Sequence, residues 1–100
     1  MTRSHLHLLA KPGARDELRR ELDRLEVLLT LREEPGLLGL EVLVSEDDTD
    51  RVLLETSWSS EAHYERWHSS EPSKALSDEL DGLLAAPPEI QVYRVVDAAA

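Results

Sequence analysis

The chain opens on an alternating stretch. From Ser4 to Ala10, His5, His7 and Leu9 fall on one side and Leu6, Leu8 and Ala10 on the other, the period-two pattern of a strand. Lys11-Pro12-Gly13 breaks it. The period then changes. Leu18, Leu22, Leu25 and Leu29 recur at spacings of four, three and four, so Ala14 to about Arg32 reads as a helix with one apolar stripe. Asp16 and Glu17 lie in its first turn, where the helix dipole favours negative charge. Glu34-Pro35-Gly36 turns the chain. Leu37 to Val44 and Arg51 to about Ser57 read as strands joined by the polar hairpin loop SEDDTD. Ser59 or Ser60 can cap a short helix that runs to about His68. Glu71-Pro72 interrupts, Ser73 to Leu84 is a second helical piece, and Pro87-Pro88 stops it. Glu89 to Val96 is the last strand.

The order is β-α-β-β-α-β, the split βαβ arrangement. It predicts one α+β, ferredoxin-like domain over residues 1–100, a four-stranded antiparallel sheet with helices on one face. Leu38, Leu40, Val42 and Val44 alternate with Leu37, Gly39, Glu41 and Leu43, so both faces of that strand are largely apolar. Val52 and Leu54 against Leu53, and Ile90, Val92 and Val96 against Tyr93 and Val95, repeat the pattern. A sheet with one wet face alternates apolar with polar. This one predicts a covered second face, and no segment is left to cover it. A second copy of the chain, related by a two-fold axis, is the economical cover. A charge at Leu40 or Val92 is then expected to damage assembly or folding.

Bulk properties narrow the partners. A 100-residue chain makes a thin core, burying only about two thirds of its unfolded surface. The formal net charge of −10 argues against nucleic acid and anionic membranes. There are no cysteines, which removes disulfides, thiolate metal sites and thiol nucleophiles and fits a cytoplasmic protein. The stretch MTRSHLHLLAKPG carries no signal-peptide hydrophobic region, and no run approaches the ~20 apolar residues of a membrane span.

Chemistry concentrates in RVLLETSWSSEAHYERWHSS, residues 51–70. Trp58 ends a strand where it could stack on a flat substrate or donate its indole N–H to a substrate oxygen. Tyr64, Trp67 and His68 fall on one face of the following helix, with His63 on an adjacent edge. His5 and His7 share a face of the first strand, which should run beside the third, near Glu55 or Glu41. A His held by a carboxylate is the usual base near neutral pH. Two histidines two apart could also ligate a metal, but the sequence offers no third ligand, and it has no Gly-rich nucleotide loop. No metal or cofactor is therefore expected.

The opening strand with AKPG and an amphipathic helix, the EPGLLGLEV turn and strand, and the strand ending in Trp followed by SSEAHYERW resemble the antibiotic biosynthesis monooxygenase superfamily. The nine-residue separation of Trp58 and Trp67 agrees with that pattern. The resemblance covers nearly the whole chain. It implies the dimeric α+β barrel, a homodimer whose subunits pair sheet against sheet. It also implies a pocket for a small aromatic polyketide, anthrone or quinol, oxidised by dioxygen without a cofactor. The superfamily also holds haem-degrading oxygenases and an isomerase, and fold alone does not choose among them.

Several departures matter. The chain has no Asn, which several oxygenase branches place near the Trp. The haem-degrading branch has a His about ten residues after the second Trp, where this chain reads Ser73-Lys74-Ala75-Leu76-Ser77, so haem is not the expected substrate. A Glu common two residues before the Trp is Thr56 here, with Glu55 one step off, so either the strand carries a bulge or that role is vacant. The expected site comprises Trp58, Tyr64, Trp67 and His5 for binding, with His63, His68 or His7 as the base. An isomerase or cyclase using the same pocket, and a non-catalytic dimeric ligand-binding module, are the alternatives.

Overall fold

The computed structural model describes residues 1–96. Strand β1 spans Thr2–Leu9, helix α1 Arg15–Arg32, β2 Leu37–Val44, β3 Arg51–Trp58, α2 Glu61–His68, α3 Glu71–Asp81 and β4 Glu89–Arg94. All neighbours in the sheet are antiparallel, in the order β2-β3-β1-β4. The ferredoxin-like α+β fold expected from the element order is the fold observed.

The leucine stripe sets the packing. Leu18, Leu22, Leu25 and Leu29 are all buried and join Leu8, Val52, Leu54 and Trp58 in one core between α1 and the sheet. Alternation does the rest: in β3 the residues Val52, Leu54, Thr56 and Trp58 point under the helices, while Leu53, Glu55 and Ser57 point away.

Two helix boundaries differ from the sequence reading, each for a physical reason. Pro72 does not interrupt; it stands in the first turn of α3, where a missing N–H costs nothing, and Ser70 caps that turn by accepting from the Ser73 N–H. The helix then stops at Asp81, well before the prolines. Residues 83–85 leave it to pair with the end of β1: Lys11 N–H donates to the Leu83 carbonyl and Ala85 N–H to that of Leu9, both at 2.8 Å. Tertiary pairing overrides helical propensity there. The last strand likewise ends at Arg94 rather than Val96.

The second strand is not a plain alternation either. Its register with β3 shifts between Leu37 and Gly39. The extra residue is Leu38, 59% exposed, so Leu37 joins Leu40, Val42 and Val44 on the helix side. The face away from the helices is consequently mixed. It carries Leu9, Leu43, Leu53 and Tyr93, but also His5, His7, Glu41, Glu55 and Glu89. The expectation of two largely apolar faces is corrected to one apolar face and one in which apolar and ionisable residues alternate. Leu40 pairs with Thr56 and Val92 with Ser4, both on the helix side, so a charge at either position strikes the core side of the sheet and not the open face.

Gly36 fixes the entry to β2. Its φ of 78° is left-handed, and a Cβ there would run into the His63 ring. Its carbonyl accepts from the Ser59 N–H at 2.8 Å, tying the α1–β2 turn to the start of α2. Gly36→Ala is expected to lower the unfolding free energy by about 2–4 kcal/mol, combining left-handed strain with overpacking, as read by urea titration.

Candidate functional site

Between the sheet and the three helices lies a cavity of about 110 Å³. Its floor is Ser4 and Leu6 of β1, Leu54 and Thr56 of β3, and Ile90 of β4. Leu25 and Leu29 of α1 close one side; Tyr64, Trp67 and His68 of α2 and Ser73, Leu76, Ser77 and Leu80 of α3 form the others, with Pro88 at the end. Ile90 and Val92 of β4 remain 45% and 43% exposed.

Helix α2 supplies the aromatic wall. Ser60 caps it by accepting from the His63 N–H, which fixes the rotation of the helix about its axis. Tyr64 and Trp67 then point inward and are buried. His68, one turn beyond Tyr64, stacks on its ring with centroids 5.6 Å apart and planes 18° from parallel. His68 is solvent-exposed at the rim. Behind Tyr64, Trp58 meets its ring edge-on at 6.2 Å. The aromatic series thus runs from the buried Trp58 through Tyr64 to His68 at the mouth.

The lining contains no Asp, Glu, Lys or Arg. Its titratable side chains are Tyr64 and His68. Burial pushes the Tyr64 phenol above its ordinary value of 10.0; the neighbouring Ser4 hydroxyl works the other way, and the Glu65 charge adds to the rise. The phenol is therefore a neutral O–H donor at physiological pH. Because the folded state keeps this proton longer than the unfolded chain, the stability it contributes is complete below pH 10 and is lost as the pH climbs through the raised value. Tyr64→Phe is expected to flatten that alkaline fall in melting temperature.

The sequence candidates separate into four places. Tyr64, Trp67 and His68 come together in the cavity. Trp58 is fully buried and does not line it; its indole N–H is held by Thr56 Oγ1 at 2.8 Å. His63 is turned away from the cavity, its Nδ1 lying 2.7 Å from Ser60 Oγ and 3.1 Å from Ser59 Oγ. His5 and His7 lie on the opposite face of the sheet. There His5 Nε2 sits 3.0 Å from Glu55 Oε2, one of the two carboxylates, Glu55 and Glu41, that the strand order offered, with Tyr93 5.0 Å from its ring. Strand β3 pairs with β1 in unbroken register, so Glu55 keeps to that far face while Thr56 faces the cavity.

Ser4, Thr56, Ser73 and Ser77 were not singled out by sequence. A signal existed for two of them. Ser4 precedes Leu6 and Leu8, and Thr56 follows Val52 and Leu54, so each is a polar residue on the apolar face of its strand. Such a position is either paired or lines a cavity.

The fold and site define a class: a small α+β domain with a mostly apolar pocket between sheet and helices, one imidazole at its mouth and hydroxyls on its floor. The family model for antibiotic biosynthesis monooxygenases matches residues 1–79, and the chain belongs to that family. Its solved structural relatives share the fold at low identity. A protein from Deinococcus radiodurans, grouped by likeness with antibiotic biosynthesis monooxygenases, superposes with a TM-score of 0.88 at 21% identity, covering 100% of this chain and 97% of that one. Rv0793 from Mycobacterium tuberculosis gives 0.82 at 21% identity, covering 99% and 98%. PA3566 from Pseudomonas aeruginosa gives 0.76 at 25% identity, covering 95% and 94%. No curated protein matches the chain. No helix among the described residues is long and apolar enough to cross a membrane, and those residues hold no group of three or more His, Cys, Asp and Glu placed to bind a metal ion.

Proposed function

We propose that this protein is a cofactor-independent monooxygenase for a single-ring phenol or quinol, with His68 as the base. The observation that carries the reading is His68 as the one imidazole in the cavity lining, stacked on Tyr64 at the mouth. Family membership supports oxygenase chemistry, and the cavity supports an aromatic guest.

Size selects among aromatic guests. An apolar cavity of ~150 Å³ holds a benzene ring. At about 110 Å³ this cavity is smaller than that, so it takes at most one ring, with the substituents reaching the mouth. A three-ring anthrone would require α3 to move off the sheet. The quinol reading is therefore preferred to the polyketide and anthrone readings.

The quinol supplies its own electrons. His68 takes the phenolic proton, and the electron-rich anion passes one electron to dioxygen. Superoxide and the ring radical combine at carbon as a hydroperoxide, which loses water to leave a carbonyl. In sum, quinol and dioxygen give hydroxyquinone and water. The protein's part is to place the ring, hold the oxyanion and keep bulk water out. Oxygen-electrode rates with hydroquinone as the probe test this. Uptake above the enzyme-free rate is expected. Tight binding without uptake favours the isomerase or the non-catalytic module.

We also propose that a second copy covers the open sheet face. Leu9, Leu43, Leu53 and Tyr93 supply its apolar part, and the His5–Glu55 pair sits among them. Sedimentation equilibrium is expected to give twice the chain mass; a monomer at micromolar concentration would remove the proposal.

A further inference from the structure

The indole of Trp58 is the least usual feature of this core. The side chain is fully buried, so its N–H has no access to water and must find a partner inside. The partner is Thr56 Oγ1, two residues back on the same face of β3. An indole N–H only donates. A hydroxyl has one hydrogen and two lone pairs, so Trp58 occupies a lone pair and leaves the Thr56 hydrogen to be given elsewhere. Among the described residues this is the one side-chain hydrogen bond of Thr56. Thr56 is 6% exposed, and the space it borders is the cavity.

We infer that Thr56 is a substrate-positioning donor: Trp58 polarises its hydroxyl and turns the O–H into the cavity, toward a carbonyl or phenolate oxygen of the guest. The inference rests on the aromatic-pocket reading above and deepens it. Ser4 is the cross-strand partner of Thr56 and lines the same floor, and the neutral Tyr64 phenol stands beside Ser4. Three hydroxyls thus gather on one side of a mostly apolar space, whose other polar lining residues are Ser73, Ser77 and His68 and which holds no Lys or Arg. Such a site favours an oxygen that accepts over one that donates. Hydrogen bonds to a charged acceptor are stronger than those between neutral groups, so the arrangement selects the deprotonated ring oxygen.

The order of groups gives the site a polarity. The donor end lies on the sheet floor, and His68 lies at the rim. A guest anchored by one oxygen at Thr56 presents the opposite side of its ring toward the imidazole, as a para-quinol would. Trp58 in this account acts through Thr56 and does not touch the guest.

Two probes of similar shape test the inference: 4-nitrophenolate, which offers a charged oxygen, and nitrobenzene, which lacks it. Thr56→Val keeps the shape and removes the hydroxyl; Thr56→Ser restores it. The Val variant is expected to bind 4-nitrophenolate about tenfold or more weakly, the range for a hydrogen bond to a charged group, with nitrobenzene affinity unchanged. The visible band of bound 4-nitrophenolate should shift toward its position in free solvent in the Val variant and return in the Ser variant. Equal weakening of both probes would mean a packing role and overturn the inference, as would a Val variant that binds both like the parent. If the parent protein binds neither probe, the aromatic pocket itself falls, and the inference with it. Binding by the parent without oxygen uptake on hydroquinone removes only the oxygenase reading.

Discussion

Replacing His68 with Gln is expected to lower enzyme-dependent oxygen uptake on hydroquinone about a hundredfold or more, the contribution typical of a positioned general base. The reason is exclusion within the cavity. Its lining offers no carboxylate and no amine, and Tyr64 is held in its neutral form by burial. A phenolic proton leaving the guest has one imidazole to accept it there. The substitution itself should be structurally mild, since His68 is exposed and surface changes usually cost within about 0.5 kcal/mol. Gln keeps much of the side chain's length while removing the titratable ring. Two comparisons sharpen the result. His63→Gln and His7→Gln should leave the rate near that of the parent, because His63 is bound to Ser59 and Ser60 and His7 lies across the sheet. A rate lost equally in all three variants would point to folding.

Trp58→Ala is expected to destabilise the protein by about 3–5 kcal/mol, the range for removing a large buried aromatic. That is a large share of the roughly 5–15 kcal/mol available to a domain of this kind. Trp58 fills the junction of β3 and α2, is wholly shielded from solvent and packs edge-on against Tyr64. Its loss also leaves the Thr56 hydroxyl without its donor. Urea denaturation monitored by far-ultraviolet circular dichroism reads the change as a lower midpoint at similar slope. Trp58→Phe, which keeps most of the volume, should lose much less. The comparison separates the packing contributed by the ring from the hydrogen bond contributed by its N–H.

The sequence made the scaffold legible because its strands and long helix obey simple periods. The leucines at 18, 22, 25 and 29 could form one stripe only on a helix, and all four are buried. The antiparallel pairing of β1 with β3 followed from the element order, and with it a histidine of β1 near Glu55 or Glu41; the structure selects His5 and Glu55. What escaped was set by contacts between distant segments. The bulge at Leu38 depends on how β2 meets β3, and alternation read along one strand does not contain it. The early end of α3 depends on residues 83–85 finding β1.

The site was legible by type and not by membership. Sequence gathered seven aromatic or imidazole candidates at two places and could not rank them, because a residue's side of a layer decides whether it sees a cavity. The structure keeps Tyr64, Trp67 and His68 at the cavity, buries Trp58 outside its lining, turns His63 to Ser59 and Ser60, and puts His5 and His7 on the far face. The polar floor was within reach. Thr56 on the apolar side of β3 breaks the pattern set by Val52 and Leu54, and the break marks the cavity.

The most direct test of the account is the fate of isotopically heavy dioxygen during hydroquinone turnover. A single-ring monooxygenase that needs no cofactor should place one heavy atom in the hydroxyquinone and the other in water, at a rate above the enzyme-free reaction and dependent on His68. Unlabelled quinone with hydrogen peroxide as the only products, or a rate no greater without the protein than with it, would contradict the account.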